Sequence, residues 1–201
     1  MIRIKICGLR RLEDIAIANR CHPNYAGFIV DFPKSFRSVE PAALHTLTDR
    51  LDPAIPAVGV FVDEDPAVIE QLVRTNTIQM VQLHGHETPA MIRTVQSFGA
   101  PVIKAFVIRS EADLQPAIDS PADAILLDAG QGSGRTFDWS LLKQMDRPFI
   151  LAGGLNPDNL SEAIQTLRPA AVDISSGAET NQIKDEQKIK QCIALCRKEQ
   201  L

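Results

Sequence analysis

Aromatic side chains are scarce: eight Phe, one Trp and one Tyr make up 5% of the 201 residues. A stacking platform for single-stranded nucleic acid needs more rings than that, so the core has to come from Ile, Leu, Val and Ala. Cysteine is sparse too. Cys7, Cys21, Cys192 and Cys196 are irregularly spaced and do not form the disulfide framework of a small secreted domain. No apolar run approaches the length of a membrane span. The start, from Met1 to Arg11, has no h-region of signal-peptide length, which points to a cytoplasmic protein. Neither sign of charge dominates: 21 Lys and Arg against 25 Asp and Glu give a formal charge of −4. That balance suggests neither nucleic acid nor a membrane face as a partner.

What remains is a chain 45% hydrophobic and 23% charged, the profile of a folded globular domain with a sizeable core. No linker or composition shift divides it, so residues 1–201 are read as one domain. Short β-branched runs alternate with longer amphipathic stretches. The strand candidates are Ile2–Ile6, Tyr25–Val30, Ala57–Val62, Gln79–His84, Val102–Val107, Ala124–Asp128, Phe149–Ala152 and Ala171–Ile174. Helical patterns follow them over Leu12–Arg20, Ala42–Leu51, Ala67–Arg74, Pro89–Phe98, Glu111–Ile118, Trp139–Met145, Pro157–Leu167 and Asp185–Arg197. Thr88-Pro89 and Asn156-Pro157 each put a cap residue before a Pro at a first helical position. Strict βα alternation implies an α/β fold with a parallel sheet. Eight units predict a closed (β/α)8 TIM barrel, with an open doubly wound sheet as the rival.

In such a barrel, functional groups gather where strands end and βα loops begin. Strand one runs into Cys7-Gly8, strand two into Asp31 through Arg37, and strand four into His84-Gly85-His86. Strand six ends at Asp128 before a glycine-rich loop, strand seven runs into Gly153-Gly154, and strand eight into Ser175-Ser176-Gly177. Side chains alternate along a strand. Lys5 therefore shares a face with Cys7, Gln82 with His84, and Asp173 with Ser175, against apolar residues on the other face. This recurring polar face is expected to point into the barrel. A nearby Lys5 ammonium would favour the Cys7 thiolate, although an interior ion pair with Asp173 accounts for Lys5 equally well.

His84-Gly85-His86 has the look of a metal pair. The remaining histidines, His22 and His45, fall near the first two helices, and two His plus one carboxylate make a poor zinc or binuclear site. No metal is expected, and His84 is read as a structural or substrate contact. The glycines and serines after strands seven and eight suit a phosphate held by backbone N–H groups. Cys192 and Cys196 form a helical stripe with Ile189 and Ile193, so they are read as packing residues.

Six segments, in order along the chain, carry a resemblance. They are Ile4–Leu9, Val81–Gly85, Leu126–Asp128, Phe137–Ser140, Leu151–Pro157 and Val172–Gly177. They resemble the phosphoribosylanthranilate isomerases of tryptophan biosynthesis, a (β/α)8-barrel family without metal or organic cofactor. The resemblance implies an Amadori rearrangement of N-(5′-phosphoribosyl)anthranilate, with Cys7 as general base and Asp128 as general acid. It further implies that Arg37 meets the anthranilate carboxylate and that Gly153, Gly154, Ser176 and Gly177 hold the phosphate, with Asp173 nearby. The implied partner is a small phosphosugar substrate, and the implied unit a monomer or homodimer. Two departures stand out. The loop after Asp128 reads Gly132-Ser133-Gly134, one Gly shorter than in many relatives, and Gln182 stands where the family often has Gly.

Overall fold

The computed structural model describes residues 2–128 and 139–198. Eight parallel strands form the wall: β1 (Arg3–Cys7), β2 (Tyr25–Val30), β3 (Ala57–Phe61), β4 (Met80–Leu83), β5 (Val102–Val107), β6 (Ala124–Asp128), β7 (Phe149–Ala152) and β8 (Ala171–Ile174). Each pairs in parallel with its chain neighbour, and β1 pairs with both β2 and β8, which closes the ring. That closure excludes the open sheet.

Around the wall lie α1 (Leu12–Cys21), α2 (Pro41–Thr48), α3 (Pro66–Arg74), α4 (Pro89–Gln96), α5 (Leu114–Ile118), α6 (Leu160–Leu167) and α7 (Glu186–Lys198). Pro occupies the first turn of α2, α3 and α4, where its missing N–H costs nothing and its fixed φ suits a helix start. Asp65 and Thr88 cap α3 and α4 by accepting from Ala67 and Met91. Asp185 does the same for α7, accepting from the N–H groups of Gln187 and Lys188.

Three helical expectations need correction. The stretch Glu111–Ile118 is a 3-10 turn followed by the five-residue α5. Asp113 turns back to accept from the N–H groups of Arg109 and Ser110, which splits the segment. The stretch Trp139–Gln144 is a 3-10 helix rather than an α-helix. The Asn156-Pro157 cap does not start α6. Asn159 closes a turn there instead, accepting from the N–H of Asn156 and donating to Gly154 O, and the helix begins at Leu160. The glycine-rich segment Gly130–Gly134 lies outside the described residues.

Two apolar regions result from strand alternation. Ile2, Ile4, Ile6, Phe28, Phe61, Leu83, Ile125 and Val172 face outward and pack with the inner faces of the helices, Cys192 and Cys196 included. Val58, Ile103, Ala105, Leu126 and Ala152 form a separate cluster, with Tyr25, Met80, Ala124 and Ile150 against it. These residues occupy the opposite, inward parity of their strands, so the barrel lumen is filled by aliphatic packing over part of its length. The α5 shortfall is made up by Arg147, whose guanidinium donates to the carbonyls of Ala117, Ile118, Ser120 and Ala122.

After β8 the chain makes a 3-10 turn, Ser176–Ala178, and then a small antiparallel hairpin of Glu179–Thr180 and Ile183–Lys184. Its turn residues Asn181 and Gln182 both have positive φ, 51° and 62°. A two-residue turn of this kind favours Asn-Gly, which gives the departure at Gln182 a physical meaning: a side chain sits where glycine fits without strain. Gln182→Gly should therefore stabilise the fold by about 0.5–1 kcal/mol. Thermal unfolding checks it, with a rise in Tm of about 1–4 °C expected; an unchanged or lower Tm refutes the strain.

Candidate active site

The cleft lies at the C-terminal ends of the strands, has a volume of about 220 Å³, and is lined by residues of seven barrel strands or their following loops. Cys7, Arg37, His84, Asp128, Gly153, Gly154, Asp173 and Ser176 all reach it. Gly177 does not line it but shapes its rim: a Cβ there would collide with the Leu155 carbonyl and Asn156. The loops after β7 and β8 thus touch backbone to backbone.

β1 delivers Lys5 and Cys7 to the inside, as their parity requires. Lys5 lies level with Asp173 of β8, and the two form an ion pair at 2.9 Å with side chains only 3% and 9% exposed. On the other flank, Cys7 lies level with Gly27 of β2. A Cβ at Gly27 would stand 2.9 Å from Cys7 Sγ and 3.1 Å from Lys5 Nζ, so only glycine leaves room for both. Among the described residues, Lys5 Nζ, Asp173 Oδ1 and Gln82 Oε1 are buried without an aligned hydrogen bond. Buried polar atoms are normally satisfied, and in a cleft such atoms retain capacity for a ligand.

Burial pushes the Cys7 thiol above its ordinary range; Lys5 pulls against that, Asp173 adds to it and Lys184 opposes it. The ammonium does act in the direction read from the sequence, but burial outweighs it, and the resting group is the neutral thiol. Lys5 itself is pulled down by burial, yet Asp173 and Cys7 together raise it, so it stays an ammonium.

β4 and β6 deliver His84 and Asp128. His84 Nε2 stands 3.6 Å from Asp128 Oδ2, and His84 Nδ1 is 3.3 Å from Gln82 Nε2. Both flanks of His84 are fixed from outside the lumen. Lys104 donates to the carbonyls of Leu83 and Gly85 and pairs with buried Glu87 at 3.1 Å, while Glu87 accepts from the Gly85 N–H. Among the described residues no group of His, Cys, Asp and Glu converges as metal ligands.

Arg37 is at the rim, but not as a free cation. Its Nε and Nη2 donate to Glu179 at 2.8 and 2.6 Å, and Lys184 donates to the same carboxylate at 2.7 Å. Burial pushes the Glu179 carboxyl up, but the hydrogen bonds from Arg37 and Lys184 outweigh it and hold it below its ordinary range. Sequence reasoning passed over Glu179, Lys184 and Gln82 as site residues. Only Gln82 carried a usable signal, its parity with His84.

A closed parallel barrel with a polar cleft over the C-terminal strand ends has the layout of a (β/α)8-barrel enzyme. A family model described as N-(5′-phosphoribosyl)anthranilate isomerase matches residues 4–194. An N-(5′-phosphoribosyl)anthranilate isomerase of Clostridium acetobutylicum is 42% identical, over 98% of this chain and 99% of its own. The crystal structure of phosphoribosyl anthranilate isomerase from Thermotoga maritima superposes with a TM-score of 0.89 at 38% identity, covering 98% of this chain and 100% of that one. A phosphoribosyl anthranilate isomerase in complex with reduced 1-(o-carboxyphenylamino)-1-deoxyribulose 5-phosphate gives a TM-score of 0.87 at 37% identity, with 98% and 100% covered. The chain belongs to this family of isomerases. No helix among the described residues is long and apolar enough to cross a membrane.

The balance of forces on Cys7 has a measurable consequence. Its alkylation by a neutral reagent should rise with pH along a profile centred above that of an exposed thiol. Lys5→Met removes the largest opposing influence and should move the profile to still higher pH. An unchanged profile would reduce Lys5 to an ion-pair member alone.

Proposed function

We propose that the protein catalyses the Amadori rearrangement of N-(5′-phosphoribosyl)anthranilate to 1-(2-carboxyphenylamino)-1-deoxyribulose 5-phosphate in tryptophan biosynthesis, with Asp128 as general acid and Cys7 as general base. The observation that carries this reading is the meeting of Cys7 and Asp128 in one cleft, on strands separated by β7 and β8, in a chain of this family. Acid and base need to flank one ligand within reach of its protons, and walls of a closed barrel provide that.

Asp128 protonates the ring oxygen as the anthranilate nitrogen forms an iminium and the C1′–O bond breaks. The iminium acidifies the C2′ proton, which Cys7 takes as a thiolate, its own thiol proton having passed to solvent beforehand. The resulting enolamine tautomerises to the ketone. A cationic iminium beside Cys7 adds to the pull of Lys5 and Lys184, which favours the thiolate when substrate is in place. The phosphate goes to the backbone N–H groups of Gly153, Gly154, Ser176 and Gly177, of which Gly153 and Gly154 have φ of 99° and 66°. Asp173 Oδ1 and Gln82 Oε1, buried without an aligned bond, suit sugar hydroxyls. The ring carboxylate goes to Arg37, because a substrate anionic at both ends needs a second anion site, and Arg37 lines the same cleft in the loop after β2, which lies roughly across the ring from β6 and β7.

Turnover by the purified protein, followed as loss of phosphoribosylanthranilate fluorescence, tests the reading; absence of turnover overturns it. Cys7→Ser and Asp128→Asn should each lower kcat by about two to four decades with analogue affinity little changed, and near-normal kcat in either removes that residue from the assignment. Arg37→Ala should weaken binding of the reduced product analogue by about 2–4 kcal/mol. It should leave an analogue without the ring carboxylate unaffected; equal weakening of both would mean that Arg37 only shapes its loop.

A further inference from the structure

Arg37 is constrained on three sides. Glu179 engages its Nε and Nη2. The Phe36 ring lies 4.1 Å from the guanidinium carbon. Gly8, at φ 79°, leaves space for the stem, since a Cβ there would lie 2.5 Å from Arg37 Cδ. A loop arginine that merely balances surface charge needs none of these restraints. Resting on the reading of Arg37 as the ring-carboxylate ligand, we propose that Glu179 is a positioning residue that aims Arg37 at that carboxylate, with Lys184 as the counter-charge that allows an acid to serve there.

Geometry and charge both support this. A guanidinium has five N–H groups in a rigid planar fork. Glu179 takes the Nε edge and one hydrogen of Nη2, so the Nη1–Nη2 edge still has the donors for a second carboxylate in the same plane. With Nε fixed to Glu179 and one face against Phe36, the plane of that second edge is set before substrate arrives. The rotamer freedom of Arg37 is then lost on folding rather than on binding.

An acid next to an anion site would ordinarily repel the ligand. Lys184 removes the objection: it donates to Glu179 at 2.7 Å and to the Ser175 carbonyl at 3.1 Å, and the Arg37–Glu179–Lys184 cluster keeps one net positive charge. Glu179 and Lys184 are cross-strand partners at the open end of the hairpin, and Lys188 of α7 donates to the Glu179 carbonyl at 2.7 Å. The hairpin is thus a mount, tied to the loop after β8 and to α7, for the carboxylate that steers Arg37.

The test measures binding of the reduced product analogue, and of the same analogue without its ring carboxylate, to Glu179→Gln, together with steady-state kinetics. Gln keeps the shape but sets an NH2 group against one Arg37 donor. Affinity for the carboxylate-bearing analogue should fall about ten- to a hundredfold, with KM rising, kcat changing little and the second analogue bound as before. Equal loss for both analogues, or no loss, overturns the proposal. Because the single change leaves Lys184 buried beside a neutral group, Glu179→Gln/Lys184→Met is the companion variant, held to the same selective loss. Arg37→Ala separates the two layers. If it discriminates between the analogues and the Glu179 variants do not, Glu179 only braces the hairpin and the Arg37 reading stands. If Arg37→Ala does not discriminate, both fall.

Discussion

The Lys5–Asp173 ion pair is the contact on which the polar half of this barrel depends. Two opposite charges on adjacent strands, 2.9 Å apart and nearly sealed from water, are tolerable only as a pair. Removing one partner of such a pair costs about 3–5 kcal/mol, because the other charge is left uncompensated. The pair sits level in the β1–β8 register, at the seam where the ring closes. It therefore belongs at once to the closure of the fold and to the environment of Cys7. The same carboxylate that stabilises the ammonium pushes Cys7 up, and the ammonium pulls it down. Cys7 is thereby kept under opposing influences.

The polar side chains of the cleft rest on a second ring of buried polar contacts lying outside the lumen. Lys104 holds the carbonyls on either side of His84, and Glu179 holds Arg37. In each case a charged group buried against its opposite fixes a neighbour that lines the cleft. Hydrogen-bonded charge pairs of this kind have directional requirements that aliphatic packing lacks, and a catalytic geometry needs direction more than it needs burial.

Much of this was legible in the sequence, because two simple periodicities carry it. Alternation along Arg3–Cys7 assigns Ile4 and Ile6 to the helices and Lys5 and Cys7 to the lumen, and the structure agrees. Strict βα order points to the barrel. What escaped was whatever depends on contacts between segments distant in the chain. Asn159, four residues before the middle of an apolar helical pattern, delays α6 by hydrogen bonds to Asn156 and Gly154. Glu179 finds Arg37 over the end of β1, at a sequence distance that no local pattern spans. The protonation of Cys7 turned on burial, which a neighbouring lysine in the sequence does not reveal.

The contact of Gly177 with the Leu155 carbonyl bears on how such a protein can change over time. Because the backbones of the loops after β7 and β8 rest directly on each other, neither can accept an insertion, or even a methyl group at that point, without displacing the other. The two loops therefore have to change together. Recombination or loop grafting that exchanges one of them between barrels has to carry its companion along.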